Sequence, residues 1–240
     1  MRRAMKRIPK IEFPFRNEAA ATVIGEKILF LTISPDDMHD DPTQHPGFGK
    51  FQTFGMRPAY TSEMSQRDAI EMLMNDPDCV PLFFSDHRSR CKWCVADLSS
   101  FQTALVTARL KDAEPEFYAI NGVWIPDQCI RKSYTGQDGL SRREWMVKQA
   151  ESACVTYTKW CNGDVYGYEA EVFGLRRGDD EEPLKARAYY NWAERLHEDS
   201  CRGIYGWEAA VDDLRFAVRK LLHEMNFSRR AISAAMKEAA

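Results

Sequence analysis

Several short apolar runs of strand length are spread along the chain, and they do not alternate one for one with helical repeats. Such runs lie at residues 27–33, 79–84, 92–98, 117–124 and 164–173. A doubly wound fold with a parallel sheet requires regular alternation of strands and helices. The sequence therefore predicts an α+β fold, in which a small mixed or antiparallel sheet packs with several amphipathic helices.

Helices are indicated by side-chain periodicity and by capping residues. The clearest one begins at Ser141, which forms an S-x-x-E capping box with Glu144, and it ends before residues 162–163, an Asn-Gly pair typical of a left-handed C-cap. A second strong apolar repeat predicts a helix over residues 207–225. Further helices are predicted over residues 65–75, 101–111, 126–134 and 184–197, and after Ser228.

The run at residues 164–173 has the alternation of a half-exposed strand. Tyr168 and Val172 fall on one face, which we expect to be buried. Glu169 and Glu171 fall on the other face, which we expect to be in contact with solvent.

Two segments near the N-terminus lack a regular period. Residues 1–26 show no clear pattern, which predicts a loosely held arm. Residues 34–60 are rich in proline and glycine, which predicts a long loop. We therefore divide the chain into an N-terminal part, residues 1–78, with the arm, a strand, the loop and a short helix, and a main α+β domain, residues 79–240.

Positive and negative charges are nearly balanced. Thirty-three Lys and Arg residues stand against 36 Asp and Glu residues, giving a formal net charge of −3. Proteins bind phosphate backbones through a basic surface, so this composition argues against direct nucleic-acid binding. No apolar stretch reaches the length of a membrane-spanning helix, and no apolar core follows the basic start as in a signal peptide. We therefore expect a cytoplasmic protein with no membrane partner, whose seven cysteines are reduced.

One group of residues has the spacing of metal ligands. His87, Cys91 and Cys94 could supply three ligands of a tetrahedral zinc site, with Cys79 as the fourth. Structural zinc sites usually contain two paired ligand sets, and this chain has one C-x-x-C pair. Packed free thiols are the commoner role of such cysteines. We therefore predict no metal and no cofactor, and keep a small zinc-binding, nucleic-acid-associated protein as an alternative.

His197, Asp199 and Cys201 include the residue types of a cysteine hydrolase. Residues two apart on a strand share a face, whereas the members of a catalytic triad normally come from distant segments. A strand start that contains a small apolar cysteine is the simpler interpretation. We therefore predict no catalytic residues, treat the chain as a non-enzyme, and keep a cysteine hydrolase as a further alternative.

Tyrosine and tryptophan are concentrated in one part of the chain. Nine of the fifteen Tyr and Trp residues lie within residues 157–207. These side chains are enriched at interface hot spots, and a helix over residues 184–197 cannot bury adjacent tyrosines on one narrow stripe. Charged residues that suit a polar rim precede them. The predicted partner-binding residues are therefore Tyr189, Tyr190, Trp192, Arg176, Arg177, Asp179 and Asp180.

Three short blocks carry a family resemblance. Residues 162–168 read Asn-Gly-Asp-Val-Tyr-Gly-Tyr, residues 199–206 read Asp-Ser-Cys-Arg-Gly-Ile-Tyr-Gly, and residues 80–87 read Val-Pro-Leu-Phe-Phe-Ser-Asp-His. Together they resemble an uncharacterised family of phage and mobile-element proteins with nGdVYGY and dSCwGfyG blocks. Arg202 stands where that family usually has tryptophan, and a helical insertion over residues 183–197 separates two of the blocks. The resemblance implies a mobile-element origin.

Combining the resemblance with the residue patterns gives one leading hypothesis. We expect a phage or plasmid accessory protein that works in the cytoplasm of its bacterial host. It would bind protein subunits of a host defence complex and act as an inhibitor of the anti-CRISPR or anti-restriction type. The near-neutral charge favours protein subunits as the partner over imitation of DNA by the whole surface.

Overall fold

The computed structural model describes residues 8–15, 19–54, 62–87, 90–96, 120–175 and 193–236. The fold is α+β, which confirms the predicted class, and the described strands form two sheets. The chain also divides into two compact units. Unit 1 consists of Met1–His39 and Asp164–Ala240, and unit 2 consists of Asp40–Gly163. These boundaries differ from the expected division after residue 78. Unit 2 is a continuous segment, and unit 1 is formed by the two segments that flank it in the sequence.

The described elements are numbered here in chain order. The strands are β1 (Ala19–Ile24), β2 (Lys27–Pro35), β3 (Lys50–Thr53), β4 (Ser62–Glu63), β5 (Val80–His87), β6 (Arg90–Val95), β7 (Gly122–Ile125), β8 (Val165–Gly174) and β9 (Arg195–Tyr205). The helices are α1 (Gln66–Asn75), α2 (Gln128–Ser133), α3 (Arg142–Cys161), α4 (Trp207–Glu224) and α5 (Arg229–Ala235), with a short 3-10 helix at Pro42–Gln44.

The sheet of unit 1 is antiparallel throughout, in the order β1-β2-β8-β9. Helix α4 packs against one face, where Leu31 and Val172 of the sheet share a buried cluster with Leu214 and Leu221 of the helix. Successive residues of a strand point to opposite faces, so the odd-numbered residues of β8 lie on the other face. There Phe173 packs with Phe30.

Strand β1 corrects the expectation for residues 1–26. Residues 19–24 pair with β2 along their whole length, and the turn between the two strands contains Gly25 at φ +63°. The small residues of this stretch give a weak periodic signal, because the strand is held by its backbone pairing with β2. A loosely held arm was therefore the wrong prediction for this part.

The sheet of unit 2 has the order β4-β3-β7-β5-β6, with β3 and β4 parallel and the other pairs antiparallel. Helix α3 packs on it and contributes Tyr157 and Met146 to the same buried cluster as Phe51, Trp93 and Trp124. Phe51 belongs to β3, within the segment that we expected to be a long loop. Residues 50–53 form a strand there because Phe51 is buried opposite Trp124 of β7.

Three of the predicted N-terminal capping residues cap the starts of their helices. Ser141 and Glu144 form a reciprocal capping box at the start of α3. The Ser65 and Ser228 side chains accept hydrogen bonds at the starts of α1 and α5. Helix α2 is capped by Asp127, so the proline at residue 126 precedes the cap and does not lie in the first turn. Within the described residues, no helix combines the length and the apolar character needed to cross a membrane.

The helix predicted over residues 184–197 is wrong at its C-terminal end. Residues 195–197 belong to strand β9, where His197 pairs with Val172 of β8. The four-residue spacing of Leu184, Ala188, Trp192 and Leu196 is compatible with a helix, but Leu196 lies in a strand that pairs with β8. Residues 184–192 and the helix predicted over residues 101–111 lie outside the described residues.

Candidate functional site

The predicted partner-binding residues fall in a segment that the structure leaves undescribed. This segment is residues 176–192, and it contains Tyr189, Tyr190, Trp192, Arg176, Arg177, Asp179 and Asp180. Its two flanking strands, β8 and β9, are described and pair antiparallel in unit 1. The candidate site is therefore built from these two strands.

A cavity of about 510 Å³ lies on the face of β8 and β9 that is opposite helix α4. Its lining combines charged or polar residues with a smaller apolar part, and consists of Glu169, Glu171, Arg195, Glu198, Asp199, Ser200, Phe173 and Ala193. We call this cavity the β8–β9 cavity. Because its lining contains more carboxylates than basic groups, its electrostatic character is acidic.

Arg195 connects two carboxylates of the β8–β9 cavity. Arg195 Nη1 lies 2.7 Å from Glu171 Oε1, and the same atom contacts Glu198 Oε2. Glu171 is buried, with 7% of its side chain exposed, whereas half of the Arg195 side chain is exposed. A buried carboxylate is costly without a cation beside it, so Arg195 offsets the burial of Glu171.

The burial of Glu171 corrects the expectation that this strand face is in contact with solvent. Sequence alternation places Glu169 and Glu171 together, but Glu169 is exposed and Glu171 is buried. Glu171 is paired with Arg195, which lies 24 residues farther along the chain. No local sequence signal connects these two residues, so the cavity was not predicted.

The entrance and the floor of the β8–β9 cavity differ chemically. At the entrance, Glu169 and Glu198 are exposed, and Glu169 Oε1 lies 3.7 Å from Arg202 Nη2. At the floor, Phe173 is buried and meets Phe30 edge-to-face, with ring centroids 5.9 Å apart. Exposed carboxylates beside the buried ring of Phe173 suit a basic side chain with an aliphatic stem, such as lysine or arginine.

The opposite face of the same strands holds a hydrogen-bonded network. Asp199 Oδ1 accepts a hydrogen bond from Tyr168 Oη at 2.9 Å, and Asp199 Oδ2 accepts one from Lys220 Nζ at 2.7 Å. Burial acts to raise the pKa of Asp199, but the hydrogen bonds from Lys220 and Tyr168 outweigh it and lower that pKa. Burial, with the Asp199 hydrogen bond, raises the pKa of Tyr168. The network joins α4 to the sheet and keeps Tyr168 protonated.

The candidate hydrolase residues lie on one strand, and each has a different neighbour. His197 Nδ1 lies 3.6 Å from Glu224 Oε2 of α4, and Asp199 belongs to the Tyr168–Lys220 network. Cys201 is exposed, with its Sγ 3.6 Å from the Arg202 carbonyl oxygen. In the described ranges no hydrogen bond joins Cys201 to His197, so the arrangement of a nucleophile with its base is not formed there.

The candidate zinc ligands are separated by the geometry of strand β6. Cys91 and Cys94 are three residues apart, and a strand directs such residues to opposite faces. Cys94 Sγ lies 3.6 Å from the Phe83 carbonyl oxygen, while the Cys91 thiol contacts Cys161. The side chain of His87 lies outside the described residues. Among the described side chains, no group of three or more His, Cys, Asp or Glu residues is placed to hold a metal ion.

Comparison of the chain with protein-family models, with curated proteins and with solved structures finds no match.

Proposed function

We propose that the chain is a phage or plasmid accessory protein that binds protein subunits of a host defence complex in the bacterial cytoplasm and inhibits them. The inhibitor would be of the anti-CRISPR or anti-restriction type. The mobile-element origin rests on the resemblance of residues 80–87, 162–168 and 199–206 to a family of such elements. Accessory genes of mobile elements often counter host defence, and inhibition by binding requires no catalytic group.

The β8–β9 cavity is the observation that carries this proposal. The buried ring of Phe173 with exposed Glu169 and Glu198 at the entrance resembles the apolar centre and polar rim of a protein–protein interface. Its acidic character selects a basic side chain of the partner. Such charge complementarity favours fast and specific association.

The aromatic residues singled out from the sequence shortly precede one strand of the cavity in the chain. Strand β9 begins at Arg195, three residues after Trp192. Large aromatic anchors commonly dominate binding energy, so Tyr189, Tyr190 and Trp192 stay part of the proposal on their residue types. The proposed interface comprises residues 176–202.

A phage-plaquing assay tests the function. The protein is expressed in hosts with active CRISPR or restriction systems and challenged with phage that those systems normally block. Rescue of plaque formation in at least one system is the expected result. If no phage is rescued in any of them, the proposed function is wrong.

Charge reversal tests the site. Glu169→Lys with Glu198→Lys should lower the rescue at least tenfold, because the cavity entrance would then repel a basic partner group. Glu71→Lys with Glu151→Lys is the matched control, since both glutamates are exposed and lie on helices α1 and α3 of unit 2. Replacing Tyr189, Tyr190 and Trp192 by alanine should also weaken rescue while the circular dichroism spectrum stays unchanged. Equal rescue by the reversed and control proteins would place the interface elsewhere.

A further inference from the structure

The last turn of helix α3 lies along the outer side of strand β6 in unit 2. Asn162 Oδ1 accepts a hydrogen bond from the Cys91 backbone N–H at 2.9 Å, and Asn162 Nδ2 donates one to the Cys91 carbonyl at 3.0 Å. Thr158 Oγ1 accepts from the Trp93 backbone N–H at 2.9 Å. Strand β6 is the last strand of the described sheet on this side. These side chains therefore make the hydrogen bonds that another strand would otherwise make.

This packing places two cysteine thiols in contact. Cys161 immediately precedes Asn162, and its thiol is close enough to that of Cys91 for each thiol to affect the pKa of the other. Both side chains pack partly against the aromatic cluster of unit 2 and remain partly open to solvent. Trp93 is 3% exposed, and its indole N–H lies beside the Cys161 sulfur without an acceptor of regular hydrogen-bond geometry in the described parts of the chain.

We propose that Cys91 and Cys161 form a reversible disulfide that fixes the end of α3 to the edge of β6. The oxidant is a low-molecular-weight disulfide, such as oxidised glutathione. The Cys91 thiolate attacks one oxidant sulfur, which breaks the oxidant's S–S bond and releases one molecule of reduced thiol. Cys161 then attacks the Cys91 sulfur of the mixed disulfide and releases a second reduced thiol. The two cysteines lose two electrons and two protons, and the oxidant gains both.

The other cysteines differ from this pair in exposure or direction. Cys94 is on the opposite face of β6, near Cys154, but Cys154 is buried and closed to a small oxidant. Cys79 is also buried, and Cys129 and Cys201 are exposed. Cys91 and Cys161 combine the proximity that a disulfide requires with partial exposure, which lets a small oxidant reach them.

The surroundings of the pair set the rate of oxidation. Burial raises the pKa of Cys91 and raises that of Cys161 as well. The thiolate is the attacking species, so the reaction is slow at neutral pH. As long as the pH stays below the thiol pKa, the rate rises about tenfold for each unit by which the pH is increased. The disulfide is therefore a slowly formed clamp that responds to prolonged oxidising conditions.

Disulfide mapping tests the proposal in the full chain with Cys129→Ser and Cys201→Ser, which removes the two exposed thiols. After equilibration with oxidised glutathione at mildly alkaline pH, peptide mass spectrometry should find Cys91 linked to Cys161. Two of the remaining thiols should be lost. Cys91→Ser and Cys161→Ser should each abolish the link, while the matched variant Cys94→Ser should retain it. A Cys91–Cys94 link, or a lasting glutathione adduct on Cys91 with no linked peptide, overturns the proposal.

Amide hydrogen exchange tests the clamping role. The disulfide should slow exchange at the Cys91 and Trp93 backbone N–H groups several-fold, and a reductant should reverse the effect. Asn162→Ala removes the acceptor of the Cys91 N–H and should speed exchange there in both states, but less in the oxidised protein, since the covalent bond then holds the helix against the strand. Equal exchange rates in the reduced and oxidised proteins would exclude a clamp.

Discussion

At the scale of single residues, Gly49 shows how little room the core of unit 2 leaves. Its backbone has φ +80°, and an added Cβ would lie 2.7 Å from Trp124 Nε1 and 2.8 Å from the Ile125 carbonyl oxygen. Trp124 is fully buried and donates from Nε1 to the Phe48 carbonyl at 3.0 Å. Any side chain at Gly49 must therefore displace a buried tryptophan or the backbone of β7.

The first prediction compares two glycines with similar backbone conformations. Gly49→Ala should lower the free energy of unfolding by about 3 kcal/mol, because backbone strain adds to overpacking. Gly47 has φ +88° with nothing within 4 Å of the added Cβ, so Gly47→Ala should cost only about 1 kcal/mol. Urea unfolding followed by tryptophan fluorescence measures both values. Equal losses would show that the contact with Trp124 does not limit this position.

At the scale of elements, a charge network holds the turn between α1 and β5 to two helices. Arg131 of α2 binds Asp76 with Nη2 to Oδ2 at 2.6 Å, and its Nη1 lies 3.1 Å from Asp78 Oδ2. Arg142 of α3 binds the same Asp78 through Nε at 2.7 Å. Hydrogen bonds from Arg131 and Arg142 lower the pKa values of Asp76 and Asp78, respectively. Both carboxylates are therefore ionised at neutral pH.

The second prediction concerns the acid side of the stability curve. A carboxyl whose folded pKa is lowered stabilises the protein above its unfolded pKa of about 4, and this stabilisation is lost as the pH falls toward the folded pKa. Asp78→Asn should cost about 2 kcal/mol at neutral pH and make stability less dependent on pH below about 4. Thermal unfolding across acidic pH measures this. Asp40→Asn, at an exposed position, is the control and should leave the pH dependence unchanged.

The sequence predicted those elements whose signals are local. The capping box at Ser141 and the serine caps at Ser65 and Ser228 lie within the helices that they define, so the starts of these helices were predictable. Strands β1 and β3 were missed because their pairing partners, rather than their own pattern, make them strands. The β8–β9 cavity was missed for a similar reason, since Glu171 pairs with an arginine that is distant in the sequence.

At the scale of the whole molecule, unit 2 is inserted in the sequence between the adjacent strands β2 and β8 of unit 1. Pro35 at the end of β2 pairs with Tyr166 near the start of β8, and the Asp36 backbone N–H donates to the Val165 carbonyl at 2.9 Å. Asp36 also accepts a hydrogen bond from Gly203 N–H at 2.9 Å. The two ends of the intervening chain are thus fixed by contacts within unit 1.

The third prediction is that a short turn can replace unit 2. Substituting residues 37–163, which are unit 2 and the three residues of unit 1 that precede it, by a turn of about three to five residues containing glycine should leave the rest of unit 1 folded, because antiparallel strands are readily joined by such turns. Circular dichroism and cooperative thermal unfolding check the result. Adding Leu214→Ala to the shortened chain should lower its stability by about 2–5 kcal/mol, since Leu214 is fully buried. A shortened chain that unfolds without a cooperative transition would contradict the prediction.

The same insertion determines the order in which the two units can be completed during synthesis on the ribosome. When residue 163 has been synthesised, every residue of unit 2 is present, but unit 1 still lacks β8, β9 and its helices. Until then β1 and β2 exist only as an isolated hairpin, which is marginally stable in water. Leu29, Leu31 and Ile33, all buried in the finished sheet, must remain uncovered during that interval. Strand β2 is therefore the part of the nascent chain most prone to aggregation and to binding by chaperones, because it is synthesised early and its apolar face is covered late.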